Sequence, residues 1–201
     1  MTEAPEKYVG GGVPRKEDPA LVTGRANWTD NIKLPGMLHM AVLRSPFAHA
    51  KITNIDVSAA REQPGVVAVF TGEDLADEWA GILLCGWEMT PDQRTPDHWP
   101  LAKDEVNYAG DGVAVVVATD RYTAKDALEF IEVDYEELPA VTDLETVLDE
   151  GTPLVHEEFA SNECYTWTLD EGEVDEAFEK ADVVVKERYL QPRLIPNALI
   201  L

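Results

Sequence analysis

The hydrophobic residues of this chain come in short bursts that are separated by glycine, proline and acidic residues. Residues 66–70 and 113–118 are two such bursts, and turn-forming residues bound both of them. Short apolar runs with these boundaries are typical of buried β-strands. No run approaches the roughly 20 apolar residues that cross a bilayer, so the pattern predicts a protein without a membrane span.

Further strands and helices follow from the same pattern. Residues 37–44 and 50–57 read as extended segments on either side of Ser45-Pro46, where the chain should bend. Residues 58–63 suit a short helix, because Pro64-Gly65 would end it.

A strand, a helix and a strand are predicted next, beginning with the apolar run at residues 113–118. Thr119 or Asp120 can cap the helix, and residues 132–136 form the second strand. The apolar face of the helix carries residues at helical spacing, namely Ala124, Ala127, Leu128 and Ile131. The pattern as a whole predicts an α/β (α+β) fold with a mixed sheet and flanking helices.

The remaining segments are less regular. Residues 76–100 have no sustained period and predict a long surface loop. Residues 139–152 predict a linker with a small helix at 144–148, and residues 164–169 and 183–189 predict strands. Between those strands, a helix is predicted from residues spaced at i, i+3, i+4 and i+7: Val174, Ala177, Phe178 and Ala181.

The net charge of the chain limits which partners it can bind. The chain has 39 acidic and 16 basic residues, which give a formal net charge of −23. A polyanion would be repelled, so we expect no nucleic-acid partner. The acids are dispersed along the chain, which favours adaptation to high salt; the alternative is an acidic protein from ordinary salt.

The cysteine content and the first residues of the sequence indicate the cellular compartment. Cys85 and Cys164 are too few for a disulfide framework and too far apart for a chelating pair, so we expect reduced thiols. Residues 1–12 lack the basic start and apolar middle of a signal peptide. Both features favour a cytoplasmic protein.

The sequence reveals no residue set for catalysis. Gly10-Gly11-Gly12 follows no strand and precedes no helix, as a phosphate-binding loop would require. His39 and His49 could meet across two paired strands, but structural histidines are commoner than ligands. His156-Glu157 would face opposite ways on a strand. We therefore expect no catalytic, cofactor-binding or metal-binding residue in this segment.

Several motifs carry a resemblance to a known family. Residues 44–50 read Arg-Ser-Pro-Phe-Ala-His-Ala, and residues 107–112 read Asn-Tyr-Ala-Gly-Asp-Gly before the apolar run. The chain resembles the large subunit of molybdenum hydroxylases, the family of xanthine dehydrogenases, aldehyde oxidoreductases and aerobic carbon monoxide dehydrogenases. The family usually has proline where Gly112 stands, which loosens a turn here. Further similar stretches lie at residues 15–24, 29–39, 101–106, 131–141, 172–178 and 181–185.

The resemblance implies an architecture of three parts. Residues 1–26 would be an extended entry arm, 27–141 an a/b hammerhead domain, and 142–201 a linker with the incomplete start of the first molybdopterin-binding domain. The chain is expected to be truncated, because it stops at Ala198-Leu199-Ile200-Leu201 before the family's pterin-binding and catalytic residues.

The resemblance also implies the activity of the whole enzyme. A molybdenum-pterin cofactor in the missing domains would oxidise a substrate with oxygen from water, and iron-sulfur clusters and FAD in partner subunits would carry the electrons away. Residues 191–198 are most similar to the carbon monoxide dehydrogenase branch, with an aldehyde- or purine-type substrate as the alternative. The expected partners are the remaining large-subunit domains and the iron-sulfur and flavin subunits in a homo- or hetero-oligomer. A second possibility is a non-catalytic assembly or interaction module, and the chain alone is expected to be inactive.

Overall fold

The strands of this protein form two three-stranded sheets. A computed structural model of the chain describes residues 9–12, 15–83, 87–169 and 171–191. The strand orders are β1-β5-β3 in the first sheet and β4-β2-β6 in the second, and every pair is antiparallel. Within the described residues the strands are β1 His39–Arg44, β2 Ala50–Asp56, β3 Val66–Thr71, β4 Glu105–Val106, β5 Gly112–Ala118 and β6 Glu132–Glu137.

Short helices accompany the sheets. In the described part of the chain they are α1 Asp18–Val22, α2 Ser58–Arg61, α3 Arg121–Asp126 and α4 Val174–Glu179, with 3₁₀ turns at Thr29–Asn31 and Ala127–Phe130. The chain divides into two compact units. The unit Leu38–Glu179 holds both sheets, α2, α3 and α4, whereas the other unit combines residues up to Met37 with those from Lys180 onward.

The central strand β5 is buried because it supplies side chains to two cores. Ala114 and Val116 pack with Val69 of β3 in the first core. This core is covered by residues of α2 and of the 3₁₀ turn and its end: Ala60, Ala127 and Ile131. Val113, the neighbour of Ala114 along the strand, joins a second core with Ala50, Ala102 and Val106. Successive strand residues point to opposite faces, so one apolar run serves both clusters.

Most predicted elements are confirmed. The structure contains the strands predicted around residues 37–44, 50–57, 66–70, 113–118 and 132–136, the short helix after residue 57, and the helix near Val174. The helix predicted through Ile131 begins at Arg121 and tightens into a 3₁₀ turn from Ala127. The α/β (α+β) class is confirmed, and its strands are divided between two sheets. Residues 76–83 and 87–100 lack extended strands, as the loop prediction required, apart from one bridge between Leu83 and His98.

Three predicted elements are wrong. Residues 164–169 and 183–189 are not strands, and residues 144–148 form turns where a helix was predicted. A strand needs a hydrogen-bonded partner, and the side chains here are left exposed, with Trp167 at 61% and Val183 at 78%. The two-residue strand β4 was not predicted, because two residues are too short to show a period. None of the described helices is long and apolar enough to cross a membrane.

Asp120 caps helix α3 and shows why the helix begins where it does. Its carboxylate accepts hydrogen bonds from the backbone nitrogens of Tyr122 and Thr123, each at 3.0 Å, and from the Thr123 hydroxyl. These bonds satisfy amide groups that have no partner within the helix. The Thr123 hydroxyl and amide, in that order, lower the pKa of Asp120 below its ordinary value of 3.8.

Asp120→Ala should lower the melting temperature at pH 7, because the first-turn amides lose their acceptor. A depressed pKa means that ionised Asp120 stabilises the fold above pH 3.8 and that this contribution is lost as the pH falls further. The difference in melting temperature between wild type and variant should therefore shrink below about pH 4. Thermal unfolding by circular dichroism at pH 7, 5, 4 and 3 measures it, and a constant difference would contradict the prediction.

Gly72 lies where β3 meets the backbone that leads into β4. A Cβ at this position would lie 2.4 Å from the Ala102 carbonyl oxygen and 3.0 Å from that of Leu101. The Ala102 amide is itself bonded to the Gly112 carbonyl at 2.7 Å, so this backbone is fixed against β5. Gly72 therefore permits an approach that no other residue type allows.

Gly72→Ala should destabilise the fold by about 2 kcal/mol, as expected for overpacking against a backbone that cannot move away. Gly81→Ala is the matched control, because nothing lies within 4 Å of a Cβ at that position. Urea unfolding of wild type and both variants gives the free energies. Equal unfolding free energies for the two variants would show that the strand end tolerates a side chain.

Candidate functional site

Two connections that pass between the sheets lie side by side. Residues 45–49 lead from β1 to β2, and residues 107–111 lead from β4 to β5; we call residues 44–49 and 107–112 the crossover joint. The Ser45 amide donates to the Asp111 carbonyl at 2.8 Å, and the Gly110 amide donates to the Ser45 carbonyl at 2.8 Å. The Arg44 guanidinium donates to the Gly110 carbonyl at 2.8 Å. The joint thus unites the two motifs that carry the family resemblance.

Side chains in the joint are buried and locally hydrogen-bonded. Ser45 is 3% exposed, and its hydroxyl accepts from the Phe47 amide and donates to the Phe47 carbonyl, both at 3.0 Å. The Asp111 carboxylate accepts from the Asn107 amide at 3.3 Å. The Phe47 ring lies 5.1 Å from that of Tyr135 on β6, and burial raises the pKa of the Tyr135 hydroxyl above 10.0. These contacts tie the joint to the second sheet.

His49 links three segments of the chain at the start of β2. Its Nδ1 lies 2.8 Å from the Pro139 carbonyl and its Nε2 lies 2.9 Å from a Glu105 carboxylate oxygen on β4. The His49 carbonyl also accepts from the Leu138 amide at 3.0 Å. A carbonyl oxygen can only accept, so Nδ1 donates to Pro139. In the imidazolium form Nε2 would also donate, to the Glu105 carboxylate. The ring therefore acts as a buried cross-link between β2, β4 and the end of β6.

A polar cleft of about 230 Å³ adjoins the joint. Lys103 holds its ammonium group 3.6 Å from the centre of the Trp99 ring, and Trp99 stacks on Trp79 at 5.5 Å. The cleft is lined mainly by charged and polar side chains: Asp97, His98, Trp99, Ala102, Lys103, Asp104, Glu105, Asn107, Asp111, His156 and Glu158. Its one lysine is engaged with an aromatic ring, which leaves a predominantly acidic wall.

His39 and His49 are not brought together by the strands that they adjoin. The hypothesis that His39 and His49 meet across paired strands is wrong: β1, which begins with His39, lies in the first sheet, and β2, which follows His49, lies in the second. His156 is on no strand, and its Nδ1 lies 3.9 Å from a Glu158 oxygen. Among the described residues, no three histidine, cysteine or acidic side chains could together hold a metal ion.

Two features that the sequence singled out are exposed in the described part of the chain. Gly10, Gly11 and Gly12 are exposed, and Cys164 is a free, exposed thiol. Sequence reasoning identified both motifs of the joint by resemblance but did not predict that they contact each other, and it missed the Trp79, Trp99 and Lys103 stack. Cys85, the last ten residues and the first eight lie outside the described residues. The expectation that this segment holds no catalytic, cofactor or metal residue stays a prediction.

Comparison with known proteins identifies the family. The family profile for aldehyde oxidase and xanthine dehydrogenase, a/b hammerhead domain, matches residues 23–139, which is more than half of the chain. The carbon monoxide dehydrogenase large chain of Hydrogenophaga pseudoflava is 37% identical over 98% of this chain and 26% of its own length. The xanthine dehydrogenase molybdenum-binding subunit of Escherichia coli O157:H7 is 35% identical over 86% of this chain and 23% of its own.

Solved structures agree with the sequence relatives. Quinoline 2-oxidoreductase from Pseudomonas putida 86 superposes with a TM-score of 0.66 and 43% identity, covering 76% of this chain and 19% of that one. The chain thus spans about a quarter of the length of the curated relatives it matches. The joint and both sheets lie within the residues that the profile matches. The chain belongs to the aldehyde oxidase and xanthine dehydrogenase family, and it carries the a/b hammerhead domain of that family.

Proposed function

We propose that residues 1–201 are the amino-terminal segment of the large subunit of a molybdenum-dependent oxidoreductase, and that they act as a scaffold. The observation that carries this proposal is the 37% identity to a carbon monoxide dehydrogenase large chain over 98% of this chain. The layout is an entry arm at 1–26, the hammerhead domain at 27–141, and a lead into the first molybdopterin-binding domain at 142–201. The intact enzyme would be cytoplasmic.

Carbon monoxide is the proposed substrate of the intact enzyme, which would add oxygen derived from water. Two carbon monoxide dehydrogenase large chains, at 37% and 36% identity, favour it. An aldehyde- or purine-type substrate is the alternative, because a xanthine dehydrogenase subunit is 35% identical to this chain. Because quinoline 2-oxidoreductase is 43% identical over the part it covers, the identities support the shared chemistry more strongly than the individual substrate.

The polar cleft beside the joint is lined by five carboxylates and a lysine that lies over Trp99. This acidic wall supports placing an anionic molybdenum-pterin group elsewhere. We therefore assign the cofactor to the remaining large-subunit domains, and the iron-sulfur clusters and FAD to partner subunits.

The chain by itself should bind no molybdenum. Elemental analysis of the purified 201-residue chain is expected to give well below one metal per chain. The native protein, copurified from its source with its partners, should carry molybdenum, iron and flavin. Stoichiometric molybdenum in the chain alone would contradict the scaffold role, and a native complex without molybdenum would contradict the whole proposal.

A non-catalytic assembly module is the alternative from another class. It would share the fold and the joint but lack cofactor-bearing partners. The same copurification separates the two, because a module of this kind would bring down neither molybdenum nor flavin.

High salt is the proposed working environment of the protein. Its net charge of −23 creates self-repulsion in the folded state. The screening length falls from about 10 Å at 0.1 M salt to about 3 Å at 1 M, so added salt relieves that repulsion.

The melting temperature at pH 7 should therefore rise as KCl is raised from 0.1 M to 2 M. Near pH 4.3, the isoelectric point of the sequence, the same KCl series should have a much smaller effect because the net charge has gone. Differential scanning calorimetry at both pH values provides the measurement and its control. A melting temperature that salt leaves unchanged or lowers at pH 7 would count against salt adaptation.

A further inference from the structure

Four of the described strands lie at sheet edges, and β3 differs from the other three because it has no charged residue. The strand orders β1-β5-β3 and β4-β2-β6 place β1, β3, β4 and β6 at the edges. The strands β1, β4 and β6 each include at least one charged residue, whereas β3 reads Val-Val-Ala-Val-Phe-Thr. Charged side chains on an edge strand hinder its pairing with a strand of another molecule. The strand β3 therefore lacks a protection that the other three edges have.

The composition of β3 favours pairing with copies of itself. Five of its six residues are apolar, three of these are valines, and the strand contains neither proline nor glycine. Short segments with high β-propensity and low charge are the ones that pair with identical segments. Val67 is 56% exposed, so this strand is not covered along its whole length by apolar neighbours. An unprotected β3 edge would favour association of two copies of the chain.

Two side chains from outside the sheet bind the backbone of β3. The guanidinium of Arg61, at the end of α2, donates to the Val69 carbonyl at 3.0 Å. The carboxylate of Asp74, in the turn after β3, accepts from the Thr71 amide at 2.9 Å. Alternate residues of a strand direct their backbone groups to the same side, and β5 pairs with the other side of β3. Arg61 and Asp74 thus occupy backbone groups that a further strand would need.

Arg61 and Asp74 are also joined to each other along this edge. The Arg61 Nη2 atom lies 3.2 Å from an Asp74 carboxylate oxygen, and the same oxygen accepts from the Thr71 hydroxyl at 3.1 Å. Both side chains line a groove that follows Val66 to Phe70. They remain 50% and 39% exposed, so the ion pair contributes little to stability. Its position beside the strand is therefore better explained by covering the edge than by stabilising the fold.

We propose that Arg61 and Asp74 form a guard that keeps β3 from pairing with a second copy of this chain. The guard supplies β3 with the charges that the other edge strands carry themselves. A second copy is the competitor that the guard excludes, because two uncharged β3 strands can pair antiparallel about a two-fold axis without repelling each other. The inference goes beyond the proposed function and does not depend on it.

The net charge of −23 also keeps two copies apart, but it does so chiefly in dilute salt. At 1 M salt the screening length is only about 3 Å. Hydrogen bonds at the strand edge do not depend on this long-range repulsion. The guard is therefore tested in 2 M KCl, where the repulsion between copies is screened.

Arg61→Ala removes the guard and should increase self-association of the chain. Arg15→Ala is the matched control, because Arg15 forms an exposed ion pair with Asp18 at 3.0 Å outside the strands. Sedimentation equilibrium in 2 M KCl gives the association constants, and circular dichroism shows whether each variant keeps the fold. The constant of Arg61→Ala should be at least tenfold higher than that of Arg15→Ala or of wild type. Equal constants would overturn the proposal.

Val67→Lys shows whether the association runs through β3. Val67 lines the groove, and a lysine there would give β3 a charge of its own. Added to Arg61→Ala, this substitution should return the association constant to the wild-type value. A double variant that associates as strongly as Arg61→Ala would place the contact on another surface, and the proposal would be wrong.

Asp74→Asn decides the question if Arg61→Ala loses its fold. Asparagine keeps an oxygen that can accept from the Thr71 amide, but it has no charge with which to hold Arg61. Asp18→Asn is the control, because it removes one charge from the ion pair with Arg15. In 2 M KCl the association constant of Asp74→Asn should be at least tenfold higher than that of Asp18→Asn. If the two constants are the same, Arg61 and Asp74 do not protect the edge.

Discussion

The hydrogen bonds between Ser45 and residues 110–111 are the constraint on which the two sheets depend. Each sheet is assembled from strands that are distant in sequence, and the chain passes from one sheet to the other at residues 45–49 and again at 107–111. If these connections separated, β1 and β5 would lose the alignment that places Val113 in one core and Ala114 in the other. The backbone bonds at 2.8 Å fix both connections at once.

Small residues make this joint possible. Gly110 has a φ of 98°, a conformation that residues with side chains rarely adopt. At Gly112, a Cβ would lie 3.3 Å from the Pro100 carbonyl and from a Leu101 methyl group, which is a tight contact. The Gly112 carbonyl also accepts from Ala102 at 2.7 Å. Close backbone packing at Gly112 and the hydrogen bonds of the joint therefore go together.

Sequence patterns predicted the local elements better than their arrangement. The apolar run that became β5 and the cap at Asp120 are local signals, because burial and capping act within a few residues. The separation of β5 and β6 into different sheets, the position of β4 and the His49 cross-link depend on contacts between residues far apart in sequence. The sequence suggested that His39 and His49 could meet because β1 and β2 are consecutive strands. These two strands do not pair. The resemblance identified the motifs of the joint, but it did not reveal that they bind each other.

The strand predicted at residues 183–189 failed for a physical reason. Residues 183–185 are three consecutive valines, a composition that favours strands because branched side chains pack well against neighbouring strands. In the structure the three are between 57% and 78% exposed, and no described residue pairs with them. Side chains left in water in this way contribute no burial energy to the fold. The pattern of residues 183–185 is therefore that of a strand with a partner, and the described chain does not supply one.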